Sequence, residues 1–263
     1  LPLAPAATPG PAAALPAAPS APARAQAVPG SLTSAMQAID QVVYFVSCVN
    51  RCFAESPEGG DTLAARTFSL FAKAGLTPVY PPNQAALCCG QPFESANASE
   101  AGRQALARTN AALLAASRNG EIPVYLDNAP CSLRLIEAQR EGALDARLQL
   151  FDATRFLAER VLPRLQVVKQ LDHLAVHVPC ATSKAGQREA LLSVARACAR
   201  QLTVPDIACC GFAGNKGFTL PELNANGLRH LREALPEACG HGVSTSRTCQ
   251  IGLSTHSGRP YAS

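Results

Sequence analysis

The chain has no tryptophan and a single methionine among its 263 residues. It has no apolar run of the length a bilayer-spanning helix needs, so no transmembrane segment is expected. Lysine and arginine never gather into a block, and a net charge of +4 is small for this length, so no nucleic-acid partner is expected. The first residues lack the basic start and apolar core of a secretory signal. The chain opens on Leu1 rather than methionine, which reads as the C-terminal or processed portion of something longer.

Cysteine is what the chain has in excess: there are eleven. An odd number cannot pair completely within one chain, and neighbouring cysteines do not bridge each other without strain. Disulfide frameworks belong mostly to secreted domains shorter than about 100 residues. Thiolates held for a metal centre in a reducing, cytoplasmic compartment fit this chain better.

Residues 1–40 read as an Ala/Pro-rich linker, too poor in large apolar side chains to build a core. Beyond it, strand-like segments alternate with helical ones. VVYFV (42–46), TPVY (77–80), IPVYL (122–126) and HLAVHV (173–178) are strand-like. Helical patterns cover about 61–74, 99–118, 187–201 and 221–235. This alternation predicts an α/β protein with parallel sheets flanked by helices. Thr219 and Glu222 in TLPEL have the spacing of a capping box at a helix start.

The cysteines divide the folded part into two similar lobes, 41–168 and 169–263, related as a pseudo-twofold internal repeat. The first carries Cys48, the pair Cys88–Cys89 followed by Gly90, and Cys131. The second carries Cys180, the pair Cys209–Cys210 followed by Gly211, and Cys249. Cys48, Cys131 and Cys180 each follow a predicted strand, at the sheet rim where α/β folds build their sites, while Cys249 follows the apolar-poor GVSTS. Four thiols from three loops are what a 4Fe–4S cluster or a zinc site of four thiolates requires. Structural zinc usually takes pairs of cysteines two to four residues apart, so adjacent cysteines favour a larger cluster. Gly90, Gly211 and Gly214 allow tight turns around bulky sulfide, and their amides can donate to sulfur. Lys216 and Arg247 read either as charges that offset an anionic cluster or as ordinary surface charges. His177, three residues before Cys180, reads as a ligand, as half of a Cys/His dyad, as a hydrogen-bond donor beside the ligands or as a packed residue. Cys198 and Cys239 read as structural. Cys52 is a fifth ligand or, as base rates favour, an ordinary buried thiol.

The doubled C…CCG…C pattern resembles the cysteine-rich CCG domain of the glycolate oxidase iron–sulfur subunit, of lactate-utilisation proteins and of the cluster-bearing subunit of heterodisulfide reductase. Five segments, YFVSCVNRCF, LCCGQPFES, HVPCATSK, CCGFAGNKGFTLPELN and STSRTCQIGLSTHSGRPYAS, resemble more narrowly the C-terminal region of bacterial FAD- and iron–sulfur-containing D-lactate dehydrogenases. The resemblance implies an electron-transfer module with one or two 4Fe–4S clusters held by the eight cysteines of the repeat. It implies a FAD-binding dehydrogenase domain or subunit as electron donor and a cytochrome or quinone as acceptor, with the module cytoplasmic or peripheral to the inner face of the membrane. CCG domains often close with C-x-x-C, and here Asn128 and Ser246 stand where the first of those cysteines would be. That departure favours four-cysteine over five-cysteine centres. No ferredoxin-type cysteine run and no FAD-binding domain is present in this sequence. The rival readings are a zinc-stabilised interaction domain and a thiol–disulfide enzyme.

Overall fold

The computed structural model describes residues 40–53 and 60–263. The Ala/Pro-rich stretch, apart from Asp40, lies outside the described residues. Two four-stranded, all-parallel sheets follow one another along the chain. The first contains β1 (Gln41–Phe45), β2 (Thr77–Val79), β3 (Val124–Leu126) and β4 (Leu150–Asp152), in the order β2-β1-β3-β4. The second contains β5 (Leu171–Val176), β6 (Ala199–Thr203), β7 (Gly242–Val243) and β8 (Tyr261–Ala262), in the order β6-β5-β7-β8. The strand order is the same in both, so the expected α/β repeat is present.

Parallel strands are covered on both faces, which is why β1 is continuously apolar from Val42 to Phe45 rather than alternating. Val42, Tyr44 and Val46 face a cluster with Phe71, Tyr125 and Phe156. Val43 and Phe45 face the other side, with Leu106, Leu113, Leu126, Cys89 and Cys131. Helix α1 (Cys48–Cys52) follows β1 directly. Helix α2 (Leu63–Lys73) is capped by Thr62, whose side chain accepts from the Ala65 amide, and it covers the first face through Ala64 and Phe71. After the short α3 (Gln91–Ser95), the long α4 (Ser99–Ala116) covers the second face through Leu106 and Leu113.

Helices α5 (Ala129–Arg140) and α6 (Ala153–Phe156) complete the first lobe. The second is built from α7 (Cys180–Lys184), α8 (Arg188–Cys198), α9 (Lys216–Thr219), α10 (Pro221–Gly227) and α11 (Arg247–Ser257). Leu174 and Val176 pack against Leu191 and Leu192 of α8, while Ala175 faces Cys210, Cys249 and Leu253.

Three local expectations are corrected. The helix read over 187–201 ends at Cys198, and the next five residues form β6, an edge strand. The helix read over 221–235 stops at Gly227, where any β-carbon would lie 2.8 Å from the Cys209 carbonyl oxygen. Thr219 does not cap α10, although that helix does start at Pro221. Its hydroxyl donates back to the Lys216 carbonyl at 3.2 Å, and no side chain caps α10. Among the described residues no helix is long and apolar enough to cross a membrane.

The strand order places a topological switch in each sheet, between β1 and β3 and between β5 and β7, where chain connections leave in opposite directions. The crevice beyond the strand ends at such a switch is the usual binding place of open parallel sheets. The two crevices adjoin. The Ala129 amide donates to Thr245 O at 2.8 Å and the Arg247 amide to Asn128 Oδ1 at 3.1 Å, so the starts of α5 and α11 meet. Phe53 stacks on Phe218 across the same junction, 5.5 Å between centroids.

Candidate metal centres at the two switch points

Cys48 begins α1 immediately beyond β1, and Cys131 lies in the first turn of α5 beyond β3, so the two flank the first switch point. Cys88 and Cys89 reach it from a separate loop. Thr109 on α4 grips that loop, accepting from the Cys88 amide at 3.3 Å and donating to its carbonyl at 2.8 Å. Gly90 then turns the chain with φ +88°, and its amide faces the Cys88 sulfur at 3.5 Å. Thiol contacts link Cys48 to Cys88, Cys88 to Cys89 and Cys89 to Cys131. Hydrogen bonds from Cys48 and Cys89 hold Cys88 well below the usual thiol range. Cys48 is pushed up, first because it donates to Cys88 and then by burial.

The second lobe repeats the plan. Cys180 begins α7 beyond β5, Cys249 sits in the first turn of α11 beyond β7, and Cys209–Cys210 arrive on a loop. The Cys210 and Cys249 sulfurs are 3.0 Å apart. The hydrogen bond from Cys249 brings Cys210 down to about 7, and the same bond, with burial, pushes Cys249 up. Burial raises Cys180, and the neighbouring Cys209 and Cys210 add to the effect. Gly211 has φ +73° and its amide faces the Cys209 sulfur at 3.3 Å. A β-carbon at Gly211 would lie 2.1 Å from the Leu223 carbonyl oxygen, so only glycine fits under this turn.

All eight repeat cysteines are thus gathered, four to a lobe. Among the described residues, no group of three or more His, Cys, Asp or Glu side chains stands around the position of a single metal ion. Sulfur donors from three loops are the chemistry of a larger iron–sulfur centre, and the donor set fits one. Of the remaining cysteines, Cys52 is exposed, not buried, at the far end of α1, and Cys198 is exposed where α8 ends. Cys239 is buried, with its sulfur 3.6 Å from the His241 carbonyl oxygen.

The polar residues divide. His177 is buried just beyond β5, three residues before Cys180, and burial lowers its pKa to about 4. Gly214 and Lys216 lie further along the loop, where Lys216 is exposed and nothing approaches Gly214. Arg247 ties the lobes together, its guanidinium donating to Gln250 Oε1 at 2.9 Å and to the Phe53 carbonyl.

Sequence reading missed the frame beneath the first centre. Arg51, buried one turn beyond Cys48, donates to the carbonyls of Gln84 and Leu87, the second at 3.1 Å. The Gln84 side chain in turn pairs with both main-chain groups of Val46, at 2.8 and 3.3 Å. Asp127, fully buried, accepts from the Ser47 amide at 2.9 Å and the Tyr44 hydroxyl at 3.2 Å. Burial raises its pKa. The available signal was Arg51 three residues after Cys48 in CVNRCF, a spacing that puts both on one side of a helical turn. The corresponding position after Cys180 is Ser183, so the second lobe lacks this strut.

The family model described as Cysteine-rich domain (CCG) matches the chain twice, over residues 42–135 and 174–254, once in each lobe. No curated protein matches the chain.

Proposed function

Because the chain belongs to the cysteine-rich domain family, we propose that it is the iron–sulfur electron-transfer module of a flavin-linked D-2-hydroxy-acid dehydrogenase, with D-lactate as substrate of the whole system. The observation that carries this is the gathering of four thiols from three loops at the switch point of each of two like sheets. The family is associated with iron–sulfur subunits of oxidoreductases, and its two matches coincide with the two thiol groups.

Cys48, Cys88, Cys89 and Cys131 would hold one 4Fe–4S cluster, and Cys180, Cys209, Cys210 and Cys249 another. Such clusters supply one-electron storage at a potential set by charge, hydrogen bonds and exposure. The chain's own contribution is environmental. Burial of Cys89, Cys131, Cys210 and Cys249 keeps water from the inner side of each centre. The Gly90 and Gly211 amides point at ligand sulfur, and the fixed charge of Arg51 favours thiolates at Cys48 and Cys88. Because the two crevices adjoin, electrons would have a short route between lobes.

On this reading a FAD-binding domain or subunit delivers the electrons, and a cytochrome or a quinone at the inner face of the membrane receives them. An iron–sulfur subunit of glycolate oxidase would use the same apparatus with a different flavin partner. The test compares Cys88→Ser and Cys209→Ser. Each should lose the iron and visible absorption of its own lobe and keep the other's. If both variants retain full iron while a thiol-exchange activity disappears, the paired cysteines are redox-cycling thiols and the proposal fails.

A further inference from the structure

The two lobes share a topology but differ at one pair of positions beneath the thiols. In the first, Phe45 at the end of β1 stands opposite Leu126 of β3, and both share an apolar cluster with Cys89 and Cys131. In the second, the register of β5 on β7 continued by one residue puts His177 opposite Ser244. The His177 amide donates to Val243 O at 3.0 Å, and its Nδ1 lies 3.0 Å from Ser244 Oγ. Strand alternation fixes the face. Ala175 packs with Cys210 and Cys249, whereas Val176 and Val178 belong to the opposite cluster. His177 therefore stands on the thiol side of the sheet.

An aromatic–aliphatic pair in one lobe is thus an imidazole–hydroxyl pair in the other. His177 is only 2% exposed, and its Nε2 is buried without a hydrogen-bond partner among the described residues. Leaving a buried polar atom unpaired is costly, and such exceptions call for an explanation. Packing does not supply one, because phenylalanine fills the equivalent space in the first lobe. Burial also keeps the ring neutral above about pH 4, so one nitrogen carries a proton and the other a lone pair.

We propose that His177 donates its Nε2–H to a sulfur of the second-lobe centre, with the Ser244 hydroxyl donating to Nδ1 and so fixing that tautomer, and that this bond raises the centre's reduction potential. The inference rests on the iron–sulfur reading above. A hydrogen bond to a cluster or ligand sulfur stabilises the more negative, reduced state. No such donor occupies the Phe45 position, so the two centres are tuned separately.

The experiment uses the full chain, reconstituted anaerobically with ferrous iron and sulfide, beside H177F and H177Q. The expected result is unchanged iron in all three. In H177F the midpoint of one centre falls by a tenfold change in its reduction equilibrium, about 59 mV for a one-electron couple. H177Q, which keeps an N–H donor, should restore most of that shift, and the other centre should not move. Pulsed electron paramagnetic resonance on wild-type chain carrying 15N-histidine should show a weak nitrogen coupling on one centre.

A full-iron H177F with an unmoved midpoint reduces His177 to packing and overturns the inference. Loss of half the iron in both variants makes His177 a ligand and overturns it as a donor. Should H177F fail to fold, absence of nitrogen coupling in the wild type overturns it by itself. Failure of the underlying reading looks different: the wild-type chain then takes up no iron and sulfide, and the inference falls with it.

Discussion

Arg51→Met tests whether the first thiol loop is held from beneath. Arg51 is 8% exposed, and its guanidinium bridges two main-chain carbonyls, those of Gln84 and Leu87. Hydrogen bonds from a charged donor are each worth about 1.5–3 kcal/mol, and methionine would fill the volume while leaving the Leu87 carbonyl without a donor and the Gln84 carbonyl with only the Leu87 amide. The expected loss is about 3–5 kcal/mol, a large part of the ~5–15 kcal/mol that a typical folded protein has in hand. With a urea slope of about 2–3 kcal/mol/M, the unfolding midpoint of the reduced, metal-free chain should fall by about 1–2.5 M. Arg51→Lys keeps the charge but not the fork that spans two acceptors, and should recover less than half of the loss. An Arg51→Met unfolding free energy within about 0.5 kcal/mol of wild type would refute the strut.

Gly211→Ala sets a positive φ and a 2.1 Å approach to Leu223 O against the fold, whereas Gly214→Ala faces only a positive φ with open space around it. Thermal unfolding should show a loss of at least about 2 kcal/mol for the first and about 1 kcal/mol for the second. Equal losses would contradict the close approach. His177 has a folded pKa of about 4, below its unfolded value near 6.5, so the unfolded chain binds more protons between those limits. Stability should therefore be full above about pH 6.5 and fall toward pH 4, with His177 contributing up to about 3 kcal/mol of the change. In H177F that part of the slope should vanish from urea titrations across this range. Asn128→Ala removes the acceptor of the Arg247 amide at the junction of the lobes, and should cost about 1 kcal/mol in the same assay.

The central strands could be read from the sequence because burial on both faces leaves a continuous apolar signal, as in VVYFV and HLAVHV. The cysteine repeat was legible because its spacing is a property of the chain alone. TPVY and IPVYL also gave the short β2 and β3, but β4, β6, β7 and β8 were not legible. The segment ARQLT of β6 has two exposed polar residues near its start and continues the pattern of α8, so only its pairing with β5 reveals it. β7 and β8 span two residues each, too few to carry a period. Over 221–235 the periodicity did report burial correctly. Leu228, Leu231 and Leu235 all face the core, yet the close approach of Gly227 to the Cys209–Cys210 loop ends the helix before them. The frame around the first centre was hidden for another reason. Arg51 with Leu87, Gln84 with Val46 and Asp127 with Ser47 are pairs far apart in the chain, and no local pattern announces them.

The central claim is that the eight gathered thiols hold iron and sulfide. The direct measurement is metal and acid-labile sulfide analysis of chain purified or reconstituted without oxygen, together with its visible spectrum. About four iron and four sulfide per loaded lobe are expected, with absorption that bleaches on reduction. Stoichiometric zinc without sulfide, in a colourless protein, would contradict the claim.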